Sequence, residues 1–177
     1  MKRFPEFDLK WMRLALALAR RAEGLTRPNP PVGAVVVKNG RKIGQGWHKK
    51  AGGPHAEVFA LRQAGAAARG ATLYVTLEPC STFGRTPPCT DAVLRAGIAR
   101  VVVATADPNP KHAGRGLRLL RKAGVRTDVG ACADEAAALI APFACHMLRQ
   151  RPFFTLKLGL SLDGRIADFS HSSRWIT

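Results

Sequence analysis

The sequence lacks an apolar run that could cross a membrane, since none approaches the roughly 20 residues that a spanning helix needs. The N-terminus also lacks the apolar core of a signal peptide, because the segment after Met1–Glu6 is amphipathic and contains arginines. We therefore expect a cytoplasmic protein with no membrane partner. With 46% apolar and 23% charged residues, the chain is not of the disordered class, and 177 residues suffice for one domain plus a short remainder.

Acidic residues are scarce, because 12 Asp and Glu stand against 28 Lys and Arg, for a formal net charge of +16. Such a surplus attracts phosphate-bearing partners, which include nucleic acids and phosphorylated metabolites. The plainer interpretation is a set of solvated helix faces, since the basic residues are scattered and form no block of five. Charge alone does not choose between these interpretations.

Predicted helices alternate with predicted strands along most of the chain. Apolar periodicity and stop signals predict helices at 8–23, 55–67, 90–96, 116–123 and 134–148, the last capped by Asp134. Apolar and β-branched runs predict strands at 32–38, 42–48, 73–77, 100–105 and 125–129, with Asn39-Gly40 as a hairpin turn between the first two. This order predicts an α/β fold with a mixed, mostly parallel sheet that helices cover on both faces.

The last part of the chain begins after a charged break at residues 149–152. Phe153–Leu160 is predicted to be a further strand, yet no partner strand or covering helix follows it in the sequence. We therefore expect residues 1–150 to form one domain and residues 151–177 to be the start of an incomplete second α/β domain. An uncovered strand of this kind is also expected to be prone to association.

Three separated segments bring together residues that suit zinc. His55-Ala56-Glu57 opens a predicted helix, Cys80 follows a buried strand, and Cys89 begins the next helix. We expect each ligand at a helix N-terminus, where the helix dipole lowers the pKa of a thiol. Three protein ligands leave one position of tetrahedral zinc open, which is typical of a catalytic site. Glu57 is less suited to bind the same metal and better suited to carry a proton from water to a leaving amine.

This arrangement matches the zinc nucleobase deaminases, whose signature is H-x-E followed by P-C-x-x-C. Here eight residues, Ser81–Pro88, separate the two cysteines, and we expect this loop to fold over the pocket. Each of His55, Cys80 and Glu57 alone would be interpreted as a surface or packing residue. Their joint spacing strongly favours a zinc site. Cys132 and Cys145 are not part of such a spacing, and we interpret them as structural.

The sequence resembles the bifunctional pyrimidine deaminase/reductase family of riboflavin biosynthesis, the RibD type, over essentially its whole length. The shared stretches are P-N-P at 28–30, V-G-A at 32–34, G-Q-G-W-H at 44–48, P-H-A-E at 54–57, Y-V-T-L-E-P-C at 74–80, G-R-T-P-P-C at 84–89, D-P-N-P at 107–110, G-R-G at 114–116, L-K-L at 156–158 and S-L-D-G-R at 161–165. The long loop between the cysteines separates this family from cytidine and tRNA deaminases. Together, pattern and resemblance imply a three-layer α/β/α cytidine-deaminase-like fold.

The resemblance implies that His55, Cys80 and Cys89 bind Zn2+ and that Glu57 shuttles the proton. It also implies hydrolytic deamination of 2,5-diamino-6-(5-phosphoribosylamino)pyrimidin-4(3H)-one, a small phosphorylated substrate rather than a nucleic acid. Asn29 and the loop that contains Thr82 and Arg85 would hold the ring and the phosphate, with Arg85 as our candidate phosphate clamp. Thr82 departs from the family, which usually has a histidine at this position.

The family's second domain reduces the ribose with NADPH. By resemblance, Gly159 and Trp175 would contact that cofactor and Ser173 the substrate. A full dinucleotide site needs several further strands and helices, so we expect no reductase activity from this chain alone. Family members self-associate, so a homo-oligomer is a further implication of the resemblance.

Two other functions stay open on the sequence. A tRNA or nucleic-acid deaminase would account for the charge, although the cysteine spacing argues against it and the basic residues form no stripe interleaved with aromatics. A zinc-stabilised binding module would need four protein ligands that close the coordination shell, and only three residues have a suitable spacing.

Overall fold

The computed structural model describes residues 3–110 and 112–171, and among them a five-stranded sheet runs in the order β2-β1-β3-β4-β5. The strands are β1 Gly33–Lys38, β2 Arg41–Trp47, β3 Thr72–Leu77, β4 Arg100–Thr105 and β5 Arg126–Val129. β1 pairs antiparallel with β2 and β3, whereas β3 with β4 and β4 with β5 are parallel pairs. The expected mixed sheet is therefore confirmed, and four of its strands share one direction.

Helices lie before, between and after the strands. They are α1 Glu6–Arg20, α2 Ala56–Ala64, α3 Cys89–Arg95, α4 Arg115–Lys122, α5 Ala133–Leu139 and α6 Ala141–Arg149, with a short 3-10 turn at Gly65–Ala68 after α2. The Asn39-Gly40 hairpin is confirmed, since both residues have a positive φ, 49° and 75°. Two consecutive left-handed residues match the right-handed twist of the flanking strands.

Apolar side chains cover both faces of the sheet, because successive strand residues point to opposite sides. One core combines alternate residues of the strands with α2, α3 and α4, and includes Val36, Leu73, Val75, Val101, Ala60, Leu61, Val93 and Leu120. The other combines the intervening residues with α1 and α5, and includes Val35, Tyr74, Val102, Met12, Leu16, Ala136 and Leu139. The three-layer α/β/α fold is therefore confirmed.

Two glycines of β2 allow α2 to lie close against the sheet. A Cβ at Gly44 would lie 2.1 Å from the carbonyl oxygen of Ala60, and one at Gly46 would lie 2.4 Å from the Cβ of Phe59. Both distances are far below van der Waals contact, so any larger residue would push the helix outward. This close approach positions α2, and with it His55 and Glu57 at its start.

The predicted helix at 134–148 was wrong as one continuous element. It is divided into α5 and α6 at Ile140, and a proline stands in the first turn of α6. Proline fits there because a first-turn residue needs no N–H donor, whereas in a continuous helix it would break the backbone ladder. The predicted cap was also wrong, because Cys132, with a left-handed φ of 55°, precedes α5 and Asp134 lies within its first turn.

The predicted strand at Phe153–Leu160 was wrong for the described chain. These eight residues are exposed and form neither a helix nor a strand. A strand is stabilised by hydrogen bonds to a neighbour, and no described strand is available beside this segment. Among residues 3–110 and 112–171, no helix is both long and apolar enough to cross a membrane.

Candidate zinc site

Three loops at one end of the sheet bring the predicted ligands together. His55 immediately precedes α2, Cys80 lies three residues after the end of β3, and Cys89 is the first residue of α3. Their ligand atoms all lie within 4.8 Å of one another. One expectation was wrong, because Cys80 lies in the loop after β3 and not at a helix N-terminus.

The spacing of these atoms fits a metal with tetrahedral geometry. His55 Nδ1 lies 3.2 Å from Cys89 Sγ and 3.5 Å from Cys80 Sγ. Zinc bond lengths in proteins place two tetrahedral ligand atoms roughly 3.6 Å apart. The His, Cys, Cys donor set is also one that zinc prefers, so His55, Cys80 and Cys89 fit Zn2+.

The outer nitrogen of His55 and the sulfur of Cys80 have supporting contacts. His55 Nε2 lies 3.4 Å from Thr86 Oγ1, and the Cys89 backbone N–H donates to Cys80 Sγ at 3.3 Å. Partners of this kind fix the orientation of a metal ligand. The loop between the cysteines therefore contributes Thr86 as a second contact to the imidazole.

The two thiols share a hydrogen bond that separates their pKa values. The Cys89 thiol, followed by His55, lowers the pKa of Cys80 to about 4, while the same bond and burial raise the pKa of Cys89. The hydrogen bond to Cys80 also raises the pKa of His55, against the effect of burial. The arrangement therefore stabilises negative charge on the Cys80 sulfur, and a thiolate is the form in which cysteine binds zinc.

Glu57 is in the first turn of α2 and is only 3% exposed. Burial, with a smaller contribution from the nearby Cys80, raises the pKa of this carboxyl to about 7. A carboxyl with a pKa near neutral pH can both accept and release a proton, which is the property of a general acid and base. The structure thus places beside the ligands a group suited to proton transfer.

Asn29 is oriented by the buried His48. His48 Nδ1 lies 3.0 Å from the Pro54 carbonyl oxygen, which can only accept, so this nitrogen carries the hydrogen. Nε2 then accepts from Asn29 Nδ2 at 3.1 Å, and burial lowers the pKa of His48, which favours this neutral form. The Asn29 Oδ1 is left to accept a hydrogen bond from a ligand.

A cavity of about 370 Å³ adjoins the ligands and includes most of the predicted binding residues. Its lining includes His55 and Cys80 together with Asn29, Thr82 and Arg85. A larger apolar groove of about 550 Å³ lies between α2 and α3 and shares Thr86 with it.

Only one of the residues predicted to serve the second domain lies within the described chain. Gly159 lies in the exposed segment after α6, and Ser173 and Trp175 are outside the described residues. The NADPH and ribose contacts expected of these three residues stay predictions.

Sequence reasoning missed Glu78, whose carboxylate accepts four backbone hydrogen bonds. Oε2 accepts from the N–H groups of Asp107 at 3.2 Å and Gly114 at 2.8 Å, and Oε1 accepts from Gly116 at 2.9 Å and Leu117 at 3.3 Å. This buried side chain ties the loop before α4 to the end of β3. The sequence offered one signal, the acidic residue within the shared E-P-C stretch.

Residues 5–105 match the family described as the cytidine and deoxycytidylate deaminase zinc-binding region. This match covers all the zinc ligands and Glu57. The chain belongs to this zinc-binding deaminase family.

Individual members of the family are similar over nearly the whole chain. The riboflavin biosynthesis protein RibD of Aquifex aeolicus is 58% identical over 97% of this chain and 48% of its own length. Among solved structures, Acinetobacter baumannii RibD is 52% identical with a TM-score of 0.90, over 97% of this chain and 48% of that one. A diaminohydroxyphosphoribosylaminopyrimidine deaminase/5-amino-6-(5-phosphoribosylamino)uracil reductase from Thermotoga maritima is 45% identical with a TM-score of 0.91, over 97% and 50%. The chain thus spans about half the length of the relatives it matches.

Proposed function

We propose that the chain catalyses the zinc-dependent hydrolytic deamination of 2,5-diamino-6-(5-phosphoribosylamino)pyrimidin-4(3H)-one in riboflavin biosynthesis. The observation that carries this proposal is the meeting of His55, Cys80 and Cys89 with the buried Glu57 beside one cavity. The similarity to RibD proteins supports the choice of substrate.

The chain's own residues supply the proton transfers of the reaction. His55, Cys80 and Cys89 would hold zinc, which would supply the Lewis acidity that makes water a nucleophile toward the ring carbon that carries the amine. Glu57 takes a proton from that water and delivers it to the departing nitrogen, so that water and the amine become a ring carbonyl and ammonia.

The cavity offers different partners to the two ends of the substrate. Asn29 Oδ1 accepts a hydrogen bond from the amino-substituted pyrimidine, because His48 holds the amide nitrogen. Arg85 binds the phosphate, since a guanidinium forms charge-assisted bonds with phosphate oxygens. Thr82 lines the same cavity and contributes a hydroxyl where the family usually has histidine.

The remaining expectations belong to the same proposal. Residues 1–150 form the deaminase domain, and residues 151–177 are the beginning of the NADPH-dependent reductase domain. Cysteines that bind zinc must not be in a disulfide, and no cysteine of the described chain is in one. This requirement suits the reducing cytoplasm. A homo-oligomer is expected by analogy with the family.

The decisive variant is Glu57→Gln, which keeps the shape of the side chain and removes its proton-carrying function. We expect kcat for ammonia release to fall by at least about 10²-fold, with zinc content unchanged by elemental analysis. Glu135→Gln, at an exposed position on α5, is the matched control and should retain full activity. Full activity of Glu57→Gln would refute the proposed mechanism.

A further inference from the structure

His112 lies in the loop between β4 and α4 and lines the same cavity as the zinc ligands. Its Nδ1 is buried and has no hydrogen-bond partner among the described residues. Buried polar atoms are nearly always paired, so a buried nitrogen without a partner, on a side chain that lines a cavity, needs an explanation. That nitrogen is enclosed by protein and out of reach of a ligand in the cavity, so the ring can meet a ligand only through Nε2, for which the described residues also provide no hydrogen-bond partner.

The backbone around His112 is held in place before any ligand binds. The His112 N–H donates to the Asn109 carbonyl at 2.9 Å, and its own carbonyl accepts from the Arg115 N–H at 2.9 Å. On either side of this turn, Glu78 binds the N–H groups of Asp107 and Gly114. The imidazole is therefore carried by a loop that is anchored at both ends, which makes it a preorganised contact.

Most other polar groups of the cavity are already assigned to the metal or to the pyrimidine ring. His55 and Cys80 belong to the metal site, and Asn29 is set by His48 to face the pyrimidine. Thr86 contacts His55, which leaves Thr82, Arg85 and His112. Of these, only Arg85 and His112 have nitrogen donors, and Arg85 has no acidic partner among the described residues. Both can donate hydrogen bonds, which suits the anionic end of the substrate.

We propose that His112 is a specificity-determining contact that donates a hydrogen bond to the ribosyl phosphate arm of the substrate, beside Arg85. This inference rests on the proposed function. It predicts that the chain discriminates the phosphorylated pyrimidine from its dephosphorylated analogue partly through His112. Asp107 is an acidic group whose charge interacts with this imidazole, and its Oδ1 accepts from the Asn109 N–H at 2.8 Å.

The kinetic test compares His112→Ala and His112→Asn with the wild-type chain on both substrates. We expect His112→Ala to raise KM for the phosphorylated substrate about tenfold or more, with kcat nearly unchanged, as for the loss of one charge-assisted hydrogen bond. For the dephosphorylated analogue, kcat/KM should change by less than about twofold, and His112→Asn should recover part of the loss. His146→Ala, at an exposed position on α6, is the control. Equal losses on both substrates, or no loss on either, would overturn the proposal.

A binding measurement separates this inference from the proposed reaction. Ribose 5-phosphate is titrated into the chain while the ring protons of His112 are followed by NMR, with ribose as the phosphate-free comparison. We expect a saturable shift with ribose 5-phosphate only, lost in His112→Ala. A shift without deamination would leave the contact standing and refute the reaction, whereas deamination without a shift would refute the contact.

Discussion

At the scale of single residues, Arg85 is a charged side chain in the zinc cavity. The sequence analysis made it a candidate phosphate clamp, and in the structure it lines the zinc cavity beside Gly52, where an added Cβ would lie 3.7 Å from Arg85 Cδ. Among the described residues it has no ion pair that would satisfy its charge. A free guanidinium at the mouth of a cavity is suited to a phosphate.

Arg85→Ala should therefore weaken substrate binding more than it slows the chemical step. We expect KM to rise about tenfold or more while kcat stays within about threefold, because the phosphate contact exists in both the ground state and the transition state. Steady-state kinetics at several ionic strengths check this, with Arg95→Ala on α3 as the control. An unchanged KM would remove Arg85 from the substrate site.

The meeting of His55, Cys80 and Cys89 could be predicted from the sequence because zinc binding depends on residue type at a characteristic spacing, and the role of Glu57 stays a prediction. H-A-E and P-C each lie within one local segment, and the start of a helix or the end of a strand fixes their geometry. Glu78 and His112 could not be predicted in this way. Glu78 binds backbone groups of the loop before α4, 29 or more residues further along the chain, and His112 belongs to that loop, so neither contact is visible in a local segment.

At the scale of elements, the contact between β3 and α4 supports the site. A Cβ at Gly116 would lie 2.1 Å from the Pro79 carbonyl oxygen, so α4 lies directly against the residue that precedes Cys80. Glu78 closes the same contact through its hydrogen bonds to the first turn of α4. These contacts therefore fix the loops of Cys80 and His112 relative to each other.

Glu78→Gln should loosen this contact. The amide keeps one accepting oxygen and turns its NH2 group toward backbone N–H donors, which leaves buried groups unpaired at a cost of about 1–3 kcal/mol in the free energy of unfolding. Urea unfolding measures this, and Glu135→Gln on the surface of α5 should stay within about 0.5 kcal/mol of the wild type. Equal stability of both variants with the wild type would mean that the four hydrogen bonds contribute nothing.

Other elements depart from their sequence patterns for identifiable reasons. The Asn39-Gly40 hairpin was predictable because two residues alone determine its turn. The break between α5 and α6 was not predicted because the apolar pattern continues through Ile140, whereas the helical backbone is interrupted there. Phe153–Leu160 keeps a strand-like pattern, but a strand also needs a neighbour, which local sequence cannot supply.

At the scale of the whole molecule, one charged network joins α1 to the sheet. Arg100 on β4 donates two hydrogen bonds at 2.8 Å to Asp8 of α1 and one at 2.8 Å to Asp128 of β5. Tyr74 of β3 donates to the same Asp8 carboxylate at 2.6 Å. Asp8 and Asp128 are 1% and 4% exposed, so this network ties the layer of α1 to three strands.

This network makes acid stability depend on Asp8. Burial raises the pKa of Asp8, but the hydrogen bonds from Arg100 and Tyr74 outweigh it and hold the pKa below its usual value of 3.8. A carboxyl whose folded pKa is lowered stabilises the fold above the unfolded pKa and loses that contribution as the pH falls through the folded pKa. The free energy of unfolding should therefore decrease as the pH falls below about 4.

Asp8→Asn tests this expectation. We expect it to cost about 3 kcal/mol at pH 7, because Arg100 keeps its charge and loses one partner, and to flatten the stability profile below pH 4. Thermal unfolding between pH 3 and pH 7 measures both effects, with Glu6→Gln at an exposed α1 position as the control. A variant as stable as the wild type at pH 7 would contradict the assigned role.

The measurement that tests the central claim most directly is ammonia release from 2,5-diamino-6-(5-phosphoribosylamino)pyrimidin-4(3H)-one before and after zinc removal. The chain is assayed as purified, after treatment with a chelator, and after zinc is returned. The account predicts that activity is lost with the metal and recovered in proportion to zinc bound at one ion per chain. Ammonia release that persists in the zinc-free, folded chain would contradict it.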